Sequence, residues 1–215
     1  MRVIQLSIYC GLLSLAISHT AISQDVISET DQKGYSFFEP SVKVSEINNK
    51  AGILGGAKFG YAFRNKYSVG IAYSQLFSPN VTVPNNGSGW SDKPFARYNS
   101  LVADFEYIAY QINSIDMSIN SSYGIARASY NHSTVDSHYF MNQYYHRIET
   151  GVSASKQFLN RLQLRFGAAY GLLLNDEDVH YSMPGLGGPN EGTLPFQYQG
   201  FSLNLNVRLT LNRYY

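Results

Sequence analysis

The chain has 215 residues, a formal net charge of +1, 44% hydrophobic residues and only 14% charged ones. Removing residues 1–23 takes away Arg2 and leaves a neutral chain with no cysteine, because Cys10 goes with them. Neutrality excludes a nucleic-acid partner, the missing thiol excludes disulfides and thiolate metal sites, and the absence of any eighteen-residue apolar run excludes helical membrane spans.

Residues 1–23 read as a secretory signal peptide: Arg2, an apolar core from Ile8 to Ile17, and the small-residue pattern Ala21-Ile22-Ser23. Tyr9 before Cys10 is too bulky for a lipoprotein site. Residues 24–33 are a polar periplasmic lead-in without periodicity, and residues 34–215 form one domain.

That domain reads as all-β, an eight-stranded antiparallel up-and-down transmembrane β-barrel. Strands are predicted at 35–46, 51–64, 66–77, 97–111, 117–130, 143–157, 162–175 and 197–215. Each is at least as long as the roughly 9–11 residues a tilted span needs. In the second, Ile53, Ala57, Phe59, Tyr61 and Phe63 oppose Leu54, Gly56, Lys58, Gly60 and Ala62. In the seventh, Leu162, Leu164, Phe166, Ala168, Tyr170 and Leu172 oppose Gln163, Arg165, Gly167, Ala169 and Gly171. The last strand is the clearest: Phe201, Leu203, Leu205, Val207, Leu209, Leu211 and Tyr215 share one face, and Ser202, Asn204, Asn206, Arg208, Thr210 and Asn212 the other. A period of two marks a strand with one apolar and one polar side. Lipid outside and a polar lumen inside would use both.

The connections carry a second signal. Tight links at Asn65, 112–116 and 158–161 alternate with long ones at 78–96, 131–142 and 176–196; only the first link of the second set (47–50) is short. Six of the seven prolines fall in the long links, where no ladder needs the missing N–H. Pro40 is the exception and implies a bulge or a later start to the first strand. Short turns on one side and long loops on the other fit an outer-membrane barrel with the long side extracellular. A secreted lipocalin-like ligand-binding barrel would also alternate, but it would bury the apolar face. Aromatics near strand ends on that face (Tyr61, Phe63, Tyr67, Phe77, Phe158, Tyr198, Tyr215) and a polar face rich in Gly, Ala and Ser favour the membrane barrel.

Signal peptide, eight alternating strands, tight turns and the aromatic C-terminal strand together resemble the small outer-membrane barrels of the OmpA-transmembrane-domain and OmpX type, found in Gram-negative envelopes. The likeness is architectural. It implies that Tyr215 is the assembly signal read by the barrel-assembly machinery.

Eight strands leave an interior that side chains fill. The inward positions predicted to carry charge are Glu39, Lys43, Lys58, Asp104, Glu106, Arg147, Glu149, Arg165 and Arg208, four acids against five bases. They are expected to pair into a structural network that plugs the lumen, since an unpaired buried charge costs several kcal/mol. A small diffusion channel is the alternative. A lipid-A-modifying enzyme is another, with His146 outward, but no Ser and acid stand beside it. The expectation is therefore a protein that is not an enzyme. Asp176-Glu177-Asp178-Val179-His180, with His132 or His138, is read as a solvated acidic loop rather than a cation site. No metal and no cofactor are expected. Candidate loop contacts are Trp90, Tyr139, Phe140 and Tyr144, because exposed aromatics anchor protein contacts or extend the wall as a rim. The expected partners are outer-membrane lipid and lipopolysaccharide, and an extracellular protein or cell surface met by the loops. The chain is expected to be a monomer.

Overall fold

The computed structural model describes residues 34–63, 66–78, 80–82, 94–131, 140–174, 178–182 and 191–213. The signal peptide, the lead-in, Trp90, His132, His138, Tyr139, Asp176, Glu177 and Tyr215 lie outside these residues.

Among the described residues there are ten strands: β1 (Tyr35–Ile47), β2 (Lys50–Phe63), β3 (Tyr67–Leu76), β4 (Phe95–Ile112), β5 (Ile115–Asn131), β6 (Gln143–Leu159), β7 (Leu162–Leu174), β8 (Val179–Ser182), β9 (Glu191–Leu194) and β10 (Gln199–Arg213). Eight of them close an antiparallel barrel in the order β1-β10-β7-β6-β5-β4-β3-β2. The other two, β8 and β9, pair with each other as a small hairpin inside the link predicted as an irregular loop over 176–196. The barrel strands lie where the alternation placed them, with ends displaced by one to a few residues, the usual uncertainty at element termini.

Following paired residues around the wall from Phe63 of β2 passes Tyr67, Tyr107, Ile119, Val152, Ala168, Leu203 and Val44, then returns to β2 at Ile53, ten residues from the start. This stagger is the shear that forces the strands to tilt as the sheet closes. Pro40 lies within β1, between the ladder pairs Phe38↔Leu209 and Ser41↔Asn206, and the register shift falls nearer the strand start, between Ser36 and Phe37. Pro40 thus neither delays the strand nor carries the bulge. Two connections at opposite ends are two-residue turns with both central residues at positive φ: Asn48 and Asn49 (52° and 58°), and Asn113 and Ser114 (46° and 68°). Such turns match the right-handed twist of paired strands, and Asn tolerates the left-handed backbone better than most residues.

The two faces differ as a membrane would require. Ile53, Phe59, Val69, Ile71, Leu101, Phe105, Ile125, Val152, Phe166, Phe201, Leu203 and Leu205 all lie on the exterior, and Phe201 is 76% exposed. The interior positions of the same strands include Lys58, Ser68, Glu106, Ser153, Arg165, Ser202 and Arg208, all buried. This is the reverse of a soluble ligand-binding barrel. Along β10 the apolar face runs from Phe201 to Leu211. That is about 33 Å of strand at ~3.3 Å per residue, or about 25 Å along the barrel axis at a tilt of ~35–45°. The apolar band of outer-membrane barrels has that height.

Candidate functional site

Inward-facing side chains of seven barrel strands meet in the lumen, where they form two ionic groups. The first centres on Glu106 of β4. Its Oε2 accepts hydrogen bonds from Arg165 of β7 (2.6 Å), Arg208 of β10 (2.6 Å) and the Ser68 hydroxyl of β3 (2.8 Å). Arg208 also donates through Nε to Glu39 of β1 (2.6 Å), whose other oxygen accepts from Asn206 (3.0 Å). Lys58 of β2 pairs with Asp104 and lies 3.9 Å from Glu106. The second group joins Lys43 of β1 to Glu149 of β6, which also accepts from Arg147 and from the Tyr198 hydroxyl (3.1 Å). Arg147 reaches across the lumen to the Ser100 hydroxyl (2.6 Å).

All nine residues predicted to carry lumen charge therefore face inward, and each has an opposite charge within 4.0 Å. A cavity of about 100 Å³, lined among others by Lys43, Lys58, Asp104, Glu149 and Asn204, lies among them. One lumen residue escaped the sequence reading. Phe37 is fully buried, with the Arg208 guanidinium 4.0 Å from its ring centroid and the Lys58 ammonium at 5.5 Å. Glycine at position 60 makes room for it, because a Cβ there would lie 2.6 Å from the Phe37 ring.

Toward the long loops the filling changes to rings. Tyr98, Tyr130, Phe140, Tyr145, Tyr181, Phe196 and Tyr198 form one buried cluster with Ile47, Leu54, Leu76, Val81, Val179 and Leu194. Tyr98 stacks between Phe196 and Tyr198, at 5.8 and 5.2 Å. Tyr198 is the hinge between the two fillings: it belongs to this cluster and also hydrogen-bonds Arg147 and Glu149. Asn48, in the β1–β2 turn, pins the cluster. Its backbone N–H donates to the Gln197 carbonyl (2.9 Å), its Oδ1 accepts from the Gln197 N–H (2.8 Å), and its Nδ2 donates to the Tyr130 hydroxyl (2.9 Å).

Two expectations are corrected here. Tyr198 is not an outer-surface aromatic; it is 2% exposed, because even-numbered positions of β10 point inward and Tyr198 continues that parity below Gln199. Phe140 is not an exposed loop contact; it is 4% exposed and packs edge-on against Tyr130, because its backbone bridges to Tyr181 of the β8–β9 hairpin. Tyr144 does face outward, 58% exposed. His146 also faces outward, stacked on Tyr123 with Nδ1 2.9 Å from the tyrosine hydroxyl. Asp178 and His180 are exposed, and among the described residues no group of three or more His, Cys, Asp or Glu is placed to hold a metal ion.

No family model matches the chain, and no curated protein matches it. Solved structures do. Neisserial surface protein A is 14% identical, with a TM-score of 0.51 over 83% of this chain and 97% of that one. The outer membrane protein OprG from Pseudomonas aeruginosa is 11% identical, with a TM-score of 0.51 over 84% of this chain and 98% of that one. At such identities the likeness concerns the fold. The chain has the fold of the small eight-stranded outer-membrane β-barrels, closed around an interior lined with charge.

Proposed function

We propose that this protein is an integral outer-membrane barrel whose lumen is plugged and whose role is structural or one of surface interaction, with the long-loop end facing out. The observation that carries the reading is the pairing of an apolar exterior about 25 Å high with an interior whose charges are spent on each other. So large an apolar surface is stable only against lipid, since burying it is worth roughly 25 cal/mol per Å². Inside, a conducting pathway would need charges that face water. Here Glu39, Glu106, Arg165 and Arg208 are each 3% exposed or less at the side chain. A hydrated conduit is further opposed by the ring cluster at the loop end.

The test has two readouts. Gel mobility of the folded protein, with and without boiling, should shift, because a closed barrel has no unpaired strand edge to admit detergent. In planar bilayers the same protein should give no steady single-channel conductance. Identical mobility in both lanes would defeat the membrane reading. Regular conductance steps would defeat the plugged lumen and favour a small diffusion channel. For a lipid-A-modifying activity at His146, the residues around it offer Tyr123, Ile125 and Leu174 across the ladders rather than a nucleophile and an acid. His146→Ala should leave lipid A acylation in the host membrane unchanged.

A further inference from the structure

The outer wall near the long loops carries two guanidiniums that neither the apolar belt nor the lumen explains. A mainly apolar row runs across four adjacent strands as Tyr73, Leu101, Ile125 and His146, and Phe77 is the exposed aromatic nearer the loops on the first of them. The next row toward the loops is polar: Gln75, Asn99, Arg127 and Tyr144. One step further along β4 stands Arg97, opposite Ser129 and therefore diagonal to Arg127. Diagonal neighbours on one face of an antiparallel pair are about 7–8 Å apart, within reach of two long side chains converging on one anion. Both arginines are exposed. Inside the barrel every guanidinium of Arg147, Arg165 and Arg208 meets a carboxylate. Among the described residues, Arg97 and Arg127 meet none.

Their height is as telling as their pairing. An arginine facing lipid costs about 2–4 kcal/mol at mid-bilayer but only about 0–1 near the interface. The polar row just above this mainly apolar one is where headgroups lie, and the exposed Phe77 and Tyr144 at that level are the aromatics that interfaces favour. Phosphate is the anion at that depth, and the planar guanidinium binds it through two parallel N–H···O bonds.

We propose that Arg97 and Arg127 clamp the headgroup phosphate of an outer-leaflet lipid whose acyl chains lie along the wall below, on Leu101, Tyr123 and Ile125. The site rests on the reading of the chain as a membrane barrel with its loop end outward, and the experiment separates the two. Wild-type protein, Arg97→Gln/Arg127→Gln and the opposite-end control Arg161→Gln are folded into phosphatidylcholine vesicles and extracted in mild detergent. They are then incubated with diphosphorylated lipid A, or with the same lipid stripped of phosphate, and the retained lipid is measured by native mass spectrometry. Wild type and the control should hold the phosphorylated lipid about tenfold better than the double variant does, a difference of about 1.4 kcal/mol. They should hold the dephosphorylated lipid no better than the double variant does, and millimolar inorganic phosphate should not displace the lipid.

Equal retention by all three proteins, or retention indifferent to the lipid's phosphates, overturns the clamp while leaving the barrel intact. Displacement by inorganic phosphate overturns a lipid site in favour of a free-anion site. Failure of the wild type to insert into the vesicles overturns the membrane reading and the clamp with it.

Discussion

Between Glu39 and Glu149 the lumen is filled by charge, and around Tyr98 and Phe196 it is filled by rings, although the wall around both consists of the same eight strands. The wall's requirement is constant: outward positions must be apolar across the belt and polar at its rim. The interior's requirement changes with depth. Within the belt the inward residues are mainly small, polar or ionic, with Phe37 the ring among them, and ten inter-residue steps of shear leave a bore that long charged side chains can cross. Toward the loops, β4, β5 and β6 rise with Tyr98, Tyr130 and Tyr145 pointing in, and the β8–β9 hairpin supplies Val179, Tyr181 and Leu194 to meet them. The two fillings should fail differently when damaged. A missing partner in an ionic group leaves an uncompensated buried charge, whereas a missing ring leaves a void.

The largest effect is expected at Glu106. Glu106→Gln keeps the volume but removes the carboxylate that both Arg165 and Arg208 bond at 2.6 Å, leaving Glu39 to face the two guanidiniums. Breaking a buried pair in this way costs about 3–5 kcal/mol. The urea midpoint of the vesicle-embedded barrel should fall accordingly. A midpoint unchanged within error would mean that the ionic group is solvated and that the lumen is not sealed at this depth.

Next comes Phe196→Ala, expected to cost about 3 kcal/mol, the low end for emptying an aromatic site, since the loop-end structure can partly collapse. The signature that sharpens the comparison is spatial. Hydrogen exchange should accelerate in the β8–β9 hairpin and the upper part of β4, while amides flanking Glu106 and Arg208 keep their protection. Acceleration throughout the barrel would show that the two fillings form one cooperative unit.

This division explains what could be read without coordinates. The eight strands, their inward faces and the nine charged lumen residues follow from a period of two, because a barrel wall leaves each side chain only two directions. The partners within the lumen do not follow, since cross-lumen pairs such as Lys43 with Glu149 depend on shear and not on sequence spacing. The ring cluster was legible in part. Tyr98 and Tyr130 keep the inward parity of their strands and are fully buried, so extending the alternation past the belt would have found them. Tyr198 reads as an outer-surface aromatic because it stands near a strand end, where aromatics commonly girdle the membrane, yet the parity of β10 turns it inward. Phe140 and the β8–β9 hairpin were beyond reach. They lie in two different long links, and nothing local in Val179–Ser182 or Glu191–Leu194 distinguishes a four-residue strand from a loop.

The smallest effect separates cap from wall most directly. Asn48 belongs to the barrel by its turn and to the ring cluster by its side chain, which accepts from the Gln197 N–H and donates to the Tyr130 hydroxyl and the Thr82 carbonyl. Asn48→Ala removes those bonds in a buried site, at about 1–2 kcal/mol, and places alanine at a positive φ that it adopts less readily than asparagine. Asn48→Gly keeps the backbone conformation at no steric cost and loses only the side-chain bonds. If the contacts hold the cap down, both variants should speed exchange at the Gln197 amide, and the alanine variant should lose slightly more unfolding free energy. If the glycine variant instead behaves as wild type, the turn's backbone, and not its reach into the rings, is what asparagine supplies at this position.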